Sequence, residues 1–251
     1  MSKKPGFFVV LRMIIVLIAL IILLPVIIMI MAVGNLISLG RWQDSTFRIG
    51  SYLFGRIGLA LAGVRLDIRY HADVPKQPVV YLFNHSSTLD LFVITALALP
   101  GVRYIGKREL GYNPFFWMIA RLSSQIMINR KDPRQAIEQM NKAYKFLRKR
   151  GLSLMLAPEG TRSRSGNILP FKTGAFHAAT ELGYPIVPIY IEGAHALCPG
   201  KSLIARPGRV TAHFHKPVDA AGWNKKAIRK QAEQMREKYL IWNGEIPQNH
   251  D

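Results

Sequence analysis

A chain of 251 residues, 49% of them apolar, can bury one sizeable core, which favours one α/β domain, or a large domain with a short appendage, over a string of small modules. Thirty-four Lys and Arg against 15 Asp and Glu give a formal charge of +19, so partners are expected among anions: nucleic acid, anionic lipid, or phosphorylated and acidic small molecules. The single cysteine, Cys198 in "ALCPG", excludes an intramolecular disulfide framework, and with no evident base beside it reads as a loop residue rather than a nucleophile.

Residues 13–33, "MIIVLIALIILLPVIIMIMAV", carry no charge and are long enough to cross a hydrocarbon core of about 30 Å as a helix. A cleaved signal peptide has a shorter apolar region and a small-residue cleavage site, so a retained anchor is expected. Pro25 removes one backbone donor and predicts a kink. Lys3, Lys4 and Arg12 precede the segment and Arg41, Arg48 and Arg56 follow it, so the positive-inside rule orients no simple single span. Residues 49–64 are apolar apart from Arg56 and suit an interfacial helix or the return arm of a shallow hairpin. The expectation is a two-helix membrane anchor over 1–66, then one domain over 67–251.

Past Asp67, short apolar runs alternate with helical periodicity. Strands are expected at 79–83, 102–105, 125–128, 152–156, 186–191 and 210–214. Helices are expected at 90–98, 114–122, 133–150 and 173–182. This alternation predicts an α/β fold with a mixed, largely parallel sheet flanked by helices. In such folds ligands bind beyond the carboxyl ends of the strands, and the polar turns "NHSSTLD", "GKREL", "NRKDP" and "PEGTRSRSG" each follow an expected strand. A basic helical segment, "WNKKAIRKQAEQMREKYLIW", closes the chain. It reads either as a solvated charged face or as a membrane-surface helix with Trp223 and Trp242 at its ends.

In "YLFNHSSTLDLF" the interval between His85 and Asp90 is five residues, about 140° on one continuous helix, so the two side chains meet only if His85 lies in the turn before the helix. Ser86 or Ser87 is a good N-cap and would start the helix there. Ser87-x-x-Asp90 is also a capping-box pattern, in which Asp90 serves the helix alone. If the two pair, neutral imidazole is suited to remove a proton near neutral pH and the carboxylate fixes its tautomer. The G-x-S-x-G elbow is missing, so His85 is expected to activate a hydroxyl that arrives on a substrate.

In "APEGTRSRSG", Gly160 allows close backbone approach, Thr161 offers a hydroxyl, Arg162 offers a planar fork suited to phosphate, and Glu159 can accept a hydroxyl or hold Arg162. No Walker lysine follows, which excludes a nucleotide P-loop; a charged surface turn is the plainer alternative.

Taken together, "NHSSTLD", "GKREL" with "SSQIMINR", "PEGTRS" with "FKTGAF", and "PIVPIYIEG" resemble, in order and spacing, the blocks of the 1-acylglycerol-3-phosphate (lysophosphatidic acid) acyltransferase family. The resemblance covers 79–193. It implies that His85 is the general base on the free sn-2 hydroxyl of lysophosphatidic acid, that Asp90 orients it, and that the acyl group comes directly from acyl-coenzyme A or acyl-acyl carrier protein. By the same resemblance Glu159, Gly160, Thr161 and Arg162 bind the glycerol phosphate, Lys107 and Arg130 are further candidates for phosphate or oxyanion contacts, and Pro188 falls in a block linked to the acyl donor or the fold. Ser123 and Ser124 stand where a Gly-containing stretch is usual, and Asn129 where an aspartate is usual.

The resemblance also implies a cell-membrane enzyme on anionic lipid with its catalytic domain on the cytoplasmic side, where the donors are. No metal or redox cofactor is implied: His213 and His215 share a strand face but no third ligand is evident, and His71, His177 and His195 read as structural or surface residues. Scattered charge without a recognised motif argues against nucleic acid. The alternatives are the same chemistry on another acceptor (a lyso-ornithine lipid, another lysophospholipid or glycerol 3-phosphate), or a non-catalytic, membrane-tethered anion-binding module indifferent to loss of His85.

Overall fold

The computed structural model describes residues 7–247 apart from 77, 130, 201 and 225, so Arg130, Lys3, Lys4 and Lys225 lie outside the described residues. Helices α1 (Phe7–Ile37) and α2 (Gln43–Leu61) come first. Then follow β1 (Val64–Tyr70), β2 (Val80–Phe83), α3 (Leu89–Ala96), β3 (Val102–Lys107), a 3-10 turn (Arg108–Tyr112), α4 (Pro114–Ser123), β4 (Ile126–Ile128), α5 (Pro133–Arg150) and β5 (Ser153–Leu156). The chain closes with α6 (Gly174–Leu182), β6 (Ile186–Glu192), α7 (Ala194–Leu197), β7 (Gly208–Phe214) and α8 (Ile228–Trp242).

The strands form one seven-stranded sheet in the order β1-β7-β6-β2-β5-β3-β4. All neighbouring pairs are parallel except β6 and β7. The sheet is thus mixed and largely parallel, as the alternation of elements predicts. All four residues of β2 are buried, as expected of a central strand covered on both faces. Tyr81, Phe83, Val187 and Ile189 pack on the α1–α3 side, while Val80, Leu82, Ile186 and Tyr190 pack on the α5, α6 and α8 side. Helix ends follow their caps. Asp132 accepts from the amides of Arg134 and Gln135 ahead of Pro133, and α5 stops at Gly151 with φ +60°.

Three features depart from expectation. β1 was not expected and runs across residue 66, where the anchor was expected to end. Its apolar side chains alternate with Arg65, Asp67 and Arg69 because one face of this edge strand is open to solvent. α2 pairs with α1 but also docks on α3. A Cβ at Gly55 would collide with the backbone of Ala96 and Phe92, and Asp44 at the start of α2 forms an ion pair with Arg103, which is 1% exposed within β3. Among the described residues, α1 is the one helix long and apolar enough to cross a membrane; it continues as helix through Pro25.

The third departure is α8, which begins at Ile228 and so leaves Trp223 outside it. Ile228, Ala232, Met235 and Tyr239, a stripe at helical spacing, are buried against the sheet. Trp223 stacks on Phe176 and Trp242 on His215, the latter pair at 3.5 Å between ring centroids, so each half-buried indole has a protein partner.

Candidate functional site

β2 ends at Phe83, and Asn84 ties its end to β6: the side-chain amide donates to the Ile191 carbonyl at 3.0 Å and accepts the Ile191 amide at 2.7 Å. His85 therefore enters from a fixed strand end into the turn before α3, the placement that its offset from Asp90 requires. Asp90 Oδ2 accepts from His85 Nδ1 at 2.8 Å and from the amides of Ser86 and Ser87 at 2.8 and 2.9 Å. Ser87 Oγ accepts the Leu89 amide and donates to the Cys198 carbonyl. The N-cap position of α3 is Thr88, which makes no side-chain cap bond, and not Ser86 or Ser87 as expected; Asp90 reaches back past the helix start to the amides of both serines and to His85.

Because an ionised carboxylate is acceptor-only, Nδ1 carries a proton, and in the neutral imidazole Nε2 then holds the lone pair. The His85 side chain is 28% exposed while that of Asp90 is 1% exposed. A buried carboxylate behind a reachable imidazole can stabilise the imidazolium when Nε2 takes a proton.

The loop after β5, the strand beside β2, grips His85 through its backbone. The His85 amide donates to Glu159 Oε1 at 2.7 Å, and the His85 carbonyl accepts the Ser163 amide at 2.8 Å. Glu159 Oε2 accepts the Leu169 amide, and the residue is 2% exposed. Substrate contact was expected of Glu159; here both its oxygens are used inside the protein to join the two motif loops. Burial pushes its carboxyl up to about 7 against the two amide donors. Gly160 has φ +70°, and the end of the Lys172 side chain, Nζ included, fills the space a Cβ would need. Thr161 is exposed, and Arg162 Nη1 donates to Thr88 Oγ1 at 2.7 Å, beside the His85 loop.

Lys107 is exposed at the carboxyl end of β3, two strand spacings from β2, about 10 Å across the same sheet edge. The unusual Ser124 ends α4 in the left-handed region at φ +53°, where glycine is the unstrained choice. Pro188 is buried in β6 in register with Leu82.

His195 is structural, as expected, but its partner lies in the His85 turn, which the sequence does not reveal. His195 Nδ1 donates to the Ser86 carbonyl at 3.0 Å, and the Gly200 amide donates to the same oxygen. The loop after β6 thereby straps the turn that orients Asp90. Nothing local marks His195, since its partner is 109 positions away. Cys198 is buried, its thiol bonded to the Ser202 carbonyl and pushed up by burial, which keeps it unreactive. His71 and His213 are hydrogen-bonded at 3.0 Å, His213 reaches Glu192, and His71 stacks on His215; among the described residues no group of three or more His, Cys, Asp or Glu is placed to hold a metal ion.

A family model described as Acyltransferase matches residues 65–192. The 1-acyl-sn-glycerol-3-phosphate acyltransferase of Haemophilus influenzae is 30% identical over 81% of this chain and 84% of its own length. That of Escherichia coli K12 is 30% identical over 74% and 75%. For the Cocos nucifera enzyme of the same name the identity is 31% over 79% of this chain, which spans 65% of that relative. The crystal structure of the 1-acyl-sn-glycerophosphate acyltransferase PlsC from Thermotoga maritima superposes with a TM-score of 0.66 over 91% of this chain and 98% of that one, at 21% identity, and shows the fold. The matched residues run from β1 through the end of β6 and so take in both motif loops and the strands that carry them: the chain belongs to the acyltransferase family of enzymes.

Proposed function

We propose that this enzyme moves a fatty acyl group from acyl-coenzyme A or acyl-acyl carrier protein to the sn-2 hydroxyl of 1-acylglycerol 3-phosphate, giving phosphatidic acid. The observation that carries the reading is the His85–Asp90 pair at 2.8 Å, set one strand away from the loop that presents Thr161 and Arg162. His85 Nε2 accepts the hydroxyl proton as the oxygen bonds to the thioester carbonyl carbon. The C–S bond then breaks, and the imidazolium returns the proton to the departing thiolate. Asp90, held by three donors, keeps the imidazole in the required tautomer and offsets its transient charge.

Arg162 and Thr161 bind the acceptor phosphate, with Lys107 as a further cation on the same edge. Glu159 and Gly160 shape the loop. The names of the relatives favour this acceptor. α1 holds the enzyme to a membrane, and the cytosolic origin of both donors puts the catalytic body on the cytoplasmic side. The test is an assay of purified protein with labelled acyl-coenzyme A and acyl-carrier protein against a panel of lyso-lipids and glycerol 3-phosphate. Transfer to 1-acylglycerol 3-phosphate supports the reading, and transfer only to an acceptor without phosphate overturns it.

A further inference from the structure

Helix α4 has the sequence "PFFWMIARLS", yet Ser123 is its one buried residue. A helix that packs on a protein body in water normally buries its apolar stripe. Here Phe115, Phe116 and Trp117 are 38%, 39% and 56% exposed, and the preceding turn adds Leu110 at 44% and Tyr112 at 78%. The segment is well formed. Asn113 caps α4 by accepting from the amides of Phe115 and Phe116, and the Leu122 carbonyl accepts from Asn35 of α1 and Gln43 of α2. An ordered, contiguous apolar patch of this kind marks an interaction surface.

We infer that the 3-10 turn and α4 form a second membrane contact, in which the aromatic side chains enter the interface of an anionic bilayer beside α1. Two observations select a lipid surface over other occupants. The patch is continuous with α1, against which α4 packs and whose outward side chains, such as Ile21 and Ile22, are themselves 67% and 65% exposed. Its rim is basic: Lys107 and Arg108 precede it and Arg121 lies on it, while Glu109 and Lys131 pair with each other and cancel. Aromatic side chains ringed by Lys and Arg are the composition that settles at the headgroup boundary and is drawn to anionic lipid.

The position of the patch gives it a consequence. It starts directly after Lys107, at the carboxyl edge of the sheet from which the His85 and Arg162 loops also project. Docking there turns that edge toward the bilayer, so that a lyso-lipid reaches the site without leaving the membrane surface. This last step rests on the proposed lipid acceptor; the contact itself does not.

The test uses the full chain in vesicles of phosphatidylglycerol and phosphatidylcholine whose acyl chains are brominated near the headgroup. The difference in tryptophan emission between the intact protein and Trp117→Phe isolates Trp117. Quenching of that component by the brominated lipid is expected, and emission equal to that in unbrominated vesicles overturns the inference, whether or not the enzyme acylates lysophosphatidic acid. In a second arm, Phe115→Ser/Phe116→Ser/Trp117→Ser is expected to lose about tenfold in transfer to acceptor held in vesicles and little in detergent micelles. Equal loss in both overturns it, as does a loss confined to acyl-carrier protein as donor without quenching, which would assign the patch to that acidic protein.

Discussion

The backbone amide of His85 donates to Glu159 Oε1 at 2.7 Å, so two motifs 74 positions apart are joined through a carboxylate that is 2% exposed. The bond gives Glu159 a structural role beside Thr161 and Arg162: it fixes the strand-end backbone from which the imidazole projects. Its second oxygen takes the Leu169 amide, which closes the loop on itself.

A pH dependence follows. Burial raises the Glu159 carboxyl from 4.5 to about 7, so the folded protein holds this proton more tightly than the unfolded chain does. The associated stability is complete below pH 4.5 and is lost as pH rises through about 7, to an extent of at most about 3 kcal/mol. Denaturant unfolding in detergent between these pH values, compared with Glu159→Gln, checks it. The difference between the two proteins should shrink as pH rises, while the variant remains about 1–3 kcal/mol less stable at low pH because one amide loses its acceptor.

Arg162 offers a bidentate fork that Lys does not reproduce. Steady-state kinetics should show KM for 1-acylglycerol 3-phosphate rising about tenfold or more in Arg162→Lys, with a smaller change in kcat. An unchanged KM would remove Arg162 from the phosphate site.

His195 is linked to Asp90 through Ser86, whose carbonyl it holds and whose amide donates to that carboxylate. His195→Ala should lower kcat about tenfold with KM for the acceptor little changed. His195→Asn, whose amide can reach the same carbonyl, should restore most of it. Failure of Asn to recover kcat would show that the ring matters only as packing against Gly166.

Much of this architecture was legible. The central strands are continuous apolar runs because the sheet is covered on both faces, and the polar turns stood out because the candidate site residues project from strand ends. β1 was hidden because an open-faced edge strand alternates Val64, Leu66 and Ile68 with charges, right after an apolar helix. Arg103 lies inside an expected strand, but its partner Asp44 is 59 positions earlier on α2, and no local pattern links them. The His195 strap was unreadable for the same reason, since side-chain to backbone bonds across a fold leave no spacing rule behind.

The close approach of α2 to α3 makes its own prediction. Gly55→Ala forces a methyl group into the Ala96 and Phe92 backbone, and overpacking of this kind destabilises by about 1–3 kcal/mol. Thermal unfolding in detergent should show a lowered Tm, and since α3 carries Asp90, reduced activity below the transition as well.

The central claim is that His85, oriented by Asp90, removes the acceptor proton. The most direct measurement is the rate of acyl transfer from labelled acyl-coenzyme A or acyl-acyl carrier protein, whichever serves as donor, by His85→Ala and Asp90→Asn, with folding checked by circular dichroism. The structure predicts a loss of about a hundredfold to ten-thousandfold for the histidine change and a large loss for the aspartate change, with native spectra in both. Full activity in a folded His85→Ala enzyme would contradict it.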